Sequence, residues 1–105
     1  MNQTHKTQTQ NIGYYGMKWL KFMESHHPKI FRELKKKQTL YEVAQSVNNY
    51  ARDYKDLLDR QYEQLHERPS EWEGEEAFRK WKFTRDFYTD HEVMVERVLV
   101  PHRTA

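Results

Sequence analysis

Apolar residues return along most of this chain at the three- and four-residue steps of an α-helix. From Met17, the positions Met17, Leu20 and Met23, with Trp19 and Phe22 beside them, fall on one side, and Lys18 and Lys21 fall outside it. Gly13 and Gly16 bracket Tyr14 and Tyr15, which reads as a turn before this first helix. Pro28 ends it and suits the first turn of the next. There Ile30, Phe31 and Leu34 make one face, and Lys29, Arg32 and Lys36 make the other.

The third segment has the longest stripe: Leu40, Ala44, Val47, Ala51, Tyr54, Leu58 and Leu65, widened by Val43, Tyr50, Leu57 and Tyr62. Thr39-Leu40-Tyr41-Glu42 has the capping-box pattern at its start, and Pro69 stops it. A helix from Leu40 to about Glu67 would run ~42 Å at 1.5 Å per residue, longer than a compact globule of this size. Ser70-Glu71-Trp72-Glu73 is a second capping box and opens a last helix containing Trp72, Phe78, Trp81, Tyr88, Val95, Val98 and Leu99. Thr89-Asp90-His91-Glu92 repeats the signature and leaves room for a break there. Beyond it, Glu92, Glu96 and Arg97 interrupt strand-like alternation and favour helix over strand for residues 93–100.

The expected fold is therefore all-α: a small elongated helical bundle with two short N-terminal helices and two long helices. Residues 1–11 are polar and read as a disordered tail, residues 12–100 as one helical domain, and residues 101–105 as a C-terminal tail. A hydrophobic share of 36% is low for a folded domain, but an aromatic share of 14% supplies large side chains to bury. No apolar run approaches the roughly 20 residues of a membrane span, and the polar N-terminus is no secretory signal. A cytoplasmic location is expected.

Charge changes the picture more than composition does. Residues 1–38 carry eight Lys and Arg against two Glu, a net of +6, whereas residues 39–67 carry −3 and residues 68–105 carry −1. The basic candidates are Lys18, Lys21, Lys29, Arg32, Lys35, Lys36 and Lys37, a set suited to neutralising phosphates. Two short helices joined by Ser25-His26-His27 also have the outline of a helix-turn-helix, without a Gly in the turn and without Asn or Gln to read bases. Packing of the basic third against the acidic middle is the plainer alternative.

Catalytic chemistry is hard to assemble. The chain has no cysteine, and three glycines leave no phosphate-cradling loop. His26-His27 are adjacent and do not share a helix face, so no metal site and no cofactor are expected. His5 and His102 lie in the tails; His66 and His91 have no evident catalytic neighbour. Asp53, Asp56, Asp59 and Glu63 line one side of the long helix among Arg52, Lys55 and Arg60, which reads as a solvated face. The expectation is a protein that is not an enzyme.

The stretch Tyr15-Gly16-Met17-Lys18, then Leu20-Lys21-Phe22-Met23-Glu24-Ser25-His26-His27-Pro28 and on to Phe31 and Leu34, resembles the transposon-encoded TnpV proteins of mobilisable elements in Gram-positive bacteria. Members carry a tyrosine-glycine pair, then Leu-Lys-Glu-His-x-Pro and a Leu-rich helix. The aliphatic Val93 to Val100 segment also fits, so the likeness spans about residues 13–100. Lys36-Lys37-Gln38 stands where members show a Gly-containing turn. The resemblance implies a mobile-element setting. An accessory protein that binds nucleic acid or a nucleoprotein complex through the basic face follows as the first functional expectation. A protein-binding inhibitor of a host defence nuclease, as small anti-CRISPR proteins are, is the alternative. Self-association of the long helices as a homo-oligomer is the third.

Overall fold

Residues 12–104 are described by a computed structural model, and they form four α-helices. These are α1 (Gly13–His26), α2 (Pro28–Lys36), α3 (Leu40–Leu65) and α4 (Gly74–Val93). A single 3₁₀ turn, Glu71–Glu73, precedes α4, and a π-helical turn, Met94–Val98, follows it. No strand occurs among the described residues. The disordered tail expected for residues 1–11, with Ala105 at the other end, lies outside them. The envelope is 56 × 28 × 20 Å with a radius of gyration of 17.1 Å. About 13 Å would suit a compact chain of 100 residues, so the bundle is elongated as expected.

The elongation has a definite origin. Among the described residues, every buried side chain is Ile12 or belongs to α1, α2, the first half of α3, or the stretch from Thr89 to Val98. Trp19 and Met23 of α1 pack with Leu34 of α2, with Leu40, Val43, Ala44, Val47 and Ala51 of α3, and with Val93 and Val98. Past Ala51 the short helices no longer cover α3, and only α4 runs beside it. Residues 52–88 form a two-helix arm in which nothing is fully buried. The lower half of the expected stripe is thus corrected. Tyr54 and Leu58 are half-buried, while Leu65 is 80% exposed and Trp72 93% exposed. Two helices alone have no third surface under which to hide them.

Where α1 meets α3, the chain departs from the expected turn. Gly13 and Gly16 are not a turn; α1 begins at Gly13, four residues before Met17. Its first turn has no side-chain cap of its own. The carboxamide oxygen of Asn48 on α3 supplies one, accepting from the Tyr15 amide at 3.0 Å and the Gly16 amide at 3.1 Å. A Cβ on Gly16 would lie 2.8 Å from the Ala44 carbonyl oxygen and 3.3 Å from the Asn48 Cβ. Glycine is the side chain that permits this approach. The Tyr15 hydroxyl then donates to Asp90 Oδ1 at 2.6 Å, tying α1 to α4.

The three capping signatures fare differently. At Ser70 the box forms, with Glu73 Oε2 accepting from the Ser70 amide at 2.8 Å, but it opens the 3₁₀ turn before α4. Thr39 makes no side-chain cap for α3, because its backbone is close to helical and its hydroxyl turns back to the Leu34 carbonyl at 3.5 Å. It belongs to the end of α2. There the Thr39 amide donates to Leu34 O and the Gln38 amide to Lys35 O, a Schellman ending. Gln38 sits at its left-handed position, with φ of 62°, one residue after Lys37. At Thr89 no break occurs. Thr89 is buried inside α4 and its hydroxyl donates to Asp59 Oδ1 at 2.7 Å. The chain stays helical to Val98, ending in a wide turn closed by the Leu99 amide on Met94 O at 2.7 Å. This places Val93 and Val98 in the core and leaves the Arg97 guanidinium over the Tyr54 and Tyr50 rings, 4.3 and 4.8 Å from their centroids.

Charge holds the arm where apolar burial does not. Lys55 Nζ donates to the Asp59 carboxylate at 2.9 and 3.1 Å, to Asp86 Oδ1 at 3.0 Å and to Thr89 Oγ1 at 3.3 Å. Arg85 reaches Asp86 at 3.0 Å, Glu63 at 3.7 Å and Asp59 at 3.8 Å, with its side chain only 15% exposed. Asp53 and Asp56 do face solvent, but the solvated reading of Asp59 and Glu63 is corrected, since they lie in the seam. Burial opposes the charge of Lys55, yet the bonds to Asp59 and Asp86 outweigh it and hold the ammonium above its ordinary 10.5. Burial likewise opposes the Asp86 carboxylate, and Lys55 and Arg85 outweigh it, holding it below its ordinary 3.8.

Three outcomes follow from this packing. Asn48→Ala leaves two amides of α1 without an acceptor at about 1–3 kcal/mol each, so a loss of about 2–6 kcal/mol is expected in urea unfolding. Gln38→Gly removes the left-handed penalty of about 1–2 kcal/mol but adds chain entropy of about 0.5–1 kcal/mol to the unfolded state. The melting temperature should rise by a few degrees. The seam contributes stability between two limits. Asp86 withdraws its contribution as pH falls below about 3.8, and Lys55 withdraws its own as pH rises beyond 10.5. Denaturation of wild type and Lys55→Met across pH should therefore show a gap that is constant near neutrality and closes at both extremes.

Candidate nucleic-acid interface

The sequence places its basic residues on two amphipathic helices, and the burial of each helix decides where they point. In α1 the buried positions are Tyr15, Gly16, Trp19 and Met23. Lys18 and Lys21, at a three-residue step, fall on the opposite side and are exposed. Lys18 lies over the Tyr14 ring, 5.5 Å from its centroid. In α2 Leu34 is buried, with Ile30 and Phe31 packed partly against the core. Lys29, Arg32 and Lys36 therefore occupy the outer side, all exposed. Lys35 lies on the flank of α2, and Lys37 in the turn beyond it is 3.8 Å from Glu33, with both side chains more than half exposed. That pair is weak at such exposure.

All seven predicted basic residues are thus solvent-facing, on adjacent helices that share one core. Between Gly13 and Gln38 the only acidic residues are Glu24 and Glu33. The basic third does not bury its cations against the acidic middle: α1 meets α3 chiefly through apolar side chains such as Trp19 and Met23 and through the Asn48 cap. A shallow hollow of about 100 Å³ lies among Met17, Leu20, Lys21, Glu24, Phe31, Leu40 and Tyr41, large enough for a few water molecules only. What such a surface can do chemically is attract and hold an extended anion.

The helix-turn-helix outline is corrected. The joint between α1 and α2 is the single residue His27, whose amide bonds back to Met23 O at 2.9 Å. A helix-turn-helix uses a turn of three or four residues to set its second helix into a groove. His26 and His27 instead pack their rings on Phe22, 5.2 and 5.3 Å between centroids. Among the described residues no group of three or more His, Asp or Glu is placed to hold a metal ion.

The residues that sequence reasoning missed lie in the arm. The seam brings Lys55, Asp59, Arg85 and Asp86 together, and its members are engaged with one another. A surface cavity of about 370 Å³ opens next to Lys55, lined also by Gly13, Tyr14, Tyr15, Asn48, Arg52 and Asp56. Tyr15 at its edge is held protonated well above the ordinary phenol range by burial and by its bond to Asp90. Only the i, i+4 spacing of Lys55 and Asp59 hinted at the seam; the partners from α4 are 30 or so residues away. A second cavity of similar size lies at the tip, beside Arg68, Pro69, Ser70, Gly74 and Phe78, where Arg68 stacks on Phe78 and Trp81.

No helix among the described residues is long and apolar enough to cross a membrane. No curated protein and no solved structure matches the chain. A family model described as the transposon-encoded protein TnpV matches residues 1–100. That span takes in the tyrosine-glycine start of α1, the His-Pro joint and the aliphatic close after α4, and the chain belongs to the TnpV family of transposon-encoded proteins.

Proposed function

We propose that this TnpV-family chain is a non-enzymatic accessory protein that holds nucleic acid, alone or in a nucleoprotein complex, through the basic face of α1 and α2. The observation that carries this reading is the exposure of all seven cations, Lys18, Lys21, Lys29, Arg32, Lys35 and Lys36 on helices whose apolar sides are spent on one core and Lys37 in the turn that follows. Each phosphate neutralised by such a group releases a counterion, which supplies affinity without reading sequence. The outer side of α2 offers Lys and Arg but no amide side chain, so contact to the backbone is favoured over contact to base edges. The transposon setting of the family puts DNA within reach, and the cytoplasm is the compartment where the two would meet. Absence of catalysis is part of the proposal, and the mutual pairing of Lys55, Asp59, Arg85 and Asp86 in the seam supports it.

Fluorescence anisotropy of a labelled duplex across a salt series tests the reading. The expected affinity falls as salt rises, with a logarithmic slope of about 0.9 per phosphate contacted. The triple variant Lys29→Glu, Arg32→Glu, Lys36→Glu should keep the wild-type melting curve, because exposed charges contribute about 0–1 kcal/mol each, and should lose binding. Undetectable binding at low salt, or binding indifferent to salt, overturns the reading. Recovery of a nuclease, rather than DNA, on the immobilised chain would favour an inhibitor of a host defence complex.

A further inference from the structure

The arm leaves one side of its two helices unoccupied. The pairing of α3 and α4 is antiparallel, with Tyr62 beside Trp81 at 6.1 Å between centroids, Asp59 beside Arg85 at 3.8 Å, and the Tyr54 hydroxyl donating to Glu96 at 2.8 Å. Leu57 therefore lies alongside Phe87 and Tyr88. The Lys55–Asp59–Asp86 seam occupies one edge of this pair. Along the other, Leu57 of α3 and Tyr88 of α4 lie within the arm, and Tyr50, with Arg97 over one side of its ring, and Val95 carry the same seven-residue steps on toward the base. Phe83 and Phe87 continue the surface around α4, stacked 6.3 Å apart, and Phe87 meets Tyr88 edge-on at 5.6 Å. Tyr50 is 49% exposed, Phe83 71%, Phe87 62% and Tyr88 61%.

We infer that this face joins the arm of a second copy of the chain, the two arms crossing antiparallel about a two-fold axis near Leu57 to complete a four-helix bundle. Three observations favour a second copy over another occupant. First, the arm buries no side chain fully, and two more helices are what a bundle core lacks. Second, with about 150–250 Å² per aromatic side chain, the exposed parts of Tyr50, Leu57, Phe87, Tyr88 and Val95 offer roughly 400–600 Å². That approaches the roughly 800 Å² per partner of a standard interface. Third, the charges beside the face are self-complementary. Asp53 and Arg60, both exposed, flank Leu57 by four residues on one side and three on the other. A two-fold axis at Leu57 sets Asp53 of one copy opposite Arg60 of the other. The contact is isologous, so it closes at two copies and does not propagate. It is independent of the nucleic-acid reading, since the basic helices sit at the base, away from the axis.

Light scattering on the wild-type chain should give twice the 13.0 kDa of the single chain at micromolar concentrations and above. Phe87→Glu with Tyr88→Glu should give a single chain that keeps its helical circular dichroism and its melting transition, because both side chains are mainly exposed. Asp53→Arg should weaken the dimer, and the exchange Asp53→Arg with Arg60→Asp should restore it. The chain lacks cysteine, so Leu57→Cys under oxidising conditions should yield a disulfide-linked pair, while Lys18→Cys should not. A wild-type monomer would leave the face to a different protein and overturn the inference. So would a dimer untouched by the glutamates, or one that cross-links equally through Lys18→Cys.

Discussion

The Asn48 carboxamide does what no residue of α1 can do for itself. Helix α1 starts without a side-chain cap, and its first free amides point into the interface with α3, where water cannot serve them. One oxygen from the facing helix accepts from two of these amides, and the absent side chain of Gly16 lets the backbones come close enough for it. The rest of the base depends on that contact. It sets the depth to which Trp19 and Met23 enter the core, and from there the indole of Trp19 donates to the Val100 carbonyl at 3.1 Å. It also aims Tyr15 at Asp90. A buried polar contact that satisfies two donors at once is costly to lose and hard to replace, which gives the base one arrangement.

Away from that contact the molecule changes its means of cohesion. The base is held by apolar burial around Trp19, the arm by ion pairs and rings. Lys55 and Arg85 bridge α3 to α4 through three carboxylates, and Arg97 lies over two tyrosines where the wide turn after α4 brings it back to α3. Such contacts orient two helices without drying the surface around them. The arm consequently presents apolar rings outward, and the base presents lysines outward. One end of the chain is suited to an anion and the other to a further apolar surface.

The two surfaces divide the functional question. The basic face is a property of α1 and α2, whose inner sides are consumed by the core, so its charges are available without any rearrangement. The aromatic face is a property of α3 and α4 where the short helices stop. Membership of the TnpV family links the chain to transposons.

How much of this was legible in the chain itself varies by residue. Periodicity was enough for the four helices, for the core positions from Leu40 to Ala51, and for the outward direction of Lys29, Arg32 and Lys36, because a helix repeats its faces at fixed steps whatever packs against it. The Ser70 box was legible for the same local reason. Thr39 and Thr89 looked like caps by the same rule, yet one hydroxyl closes the preceding helix and the other bonds to Asp59, thirty residues away. Local pattern lists the bonds a side chain can make; the fold selects among them. Gly13 and Gly16 read as a turn because glycine's freedom is visible in sequence, whereas the reason for it here, the nearness of Ala44 and Asn48, belongs to another helix. The lower stripe of α3 looked like core for want of one fact that periodicity cannot contain, the length of the helices that cover it. Helix identity and facing were determined by the sequence alone. Which apolar residues are dry, which amides are capped and which charges are paired was decided only when α1 and α2 ran out beside Ala51, since burial depends on what lies opposite a face and not on the face itself.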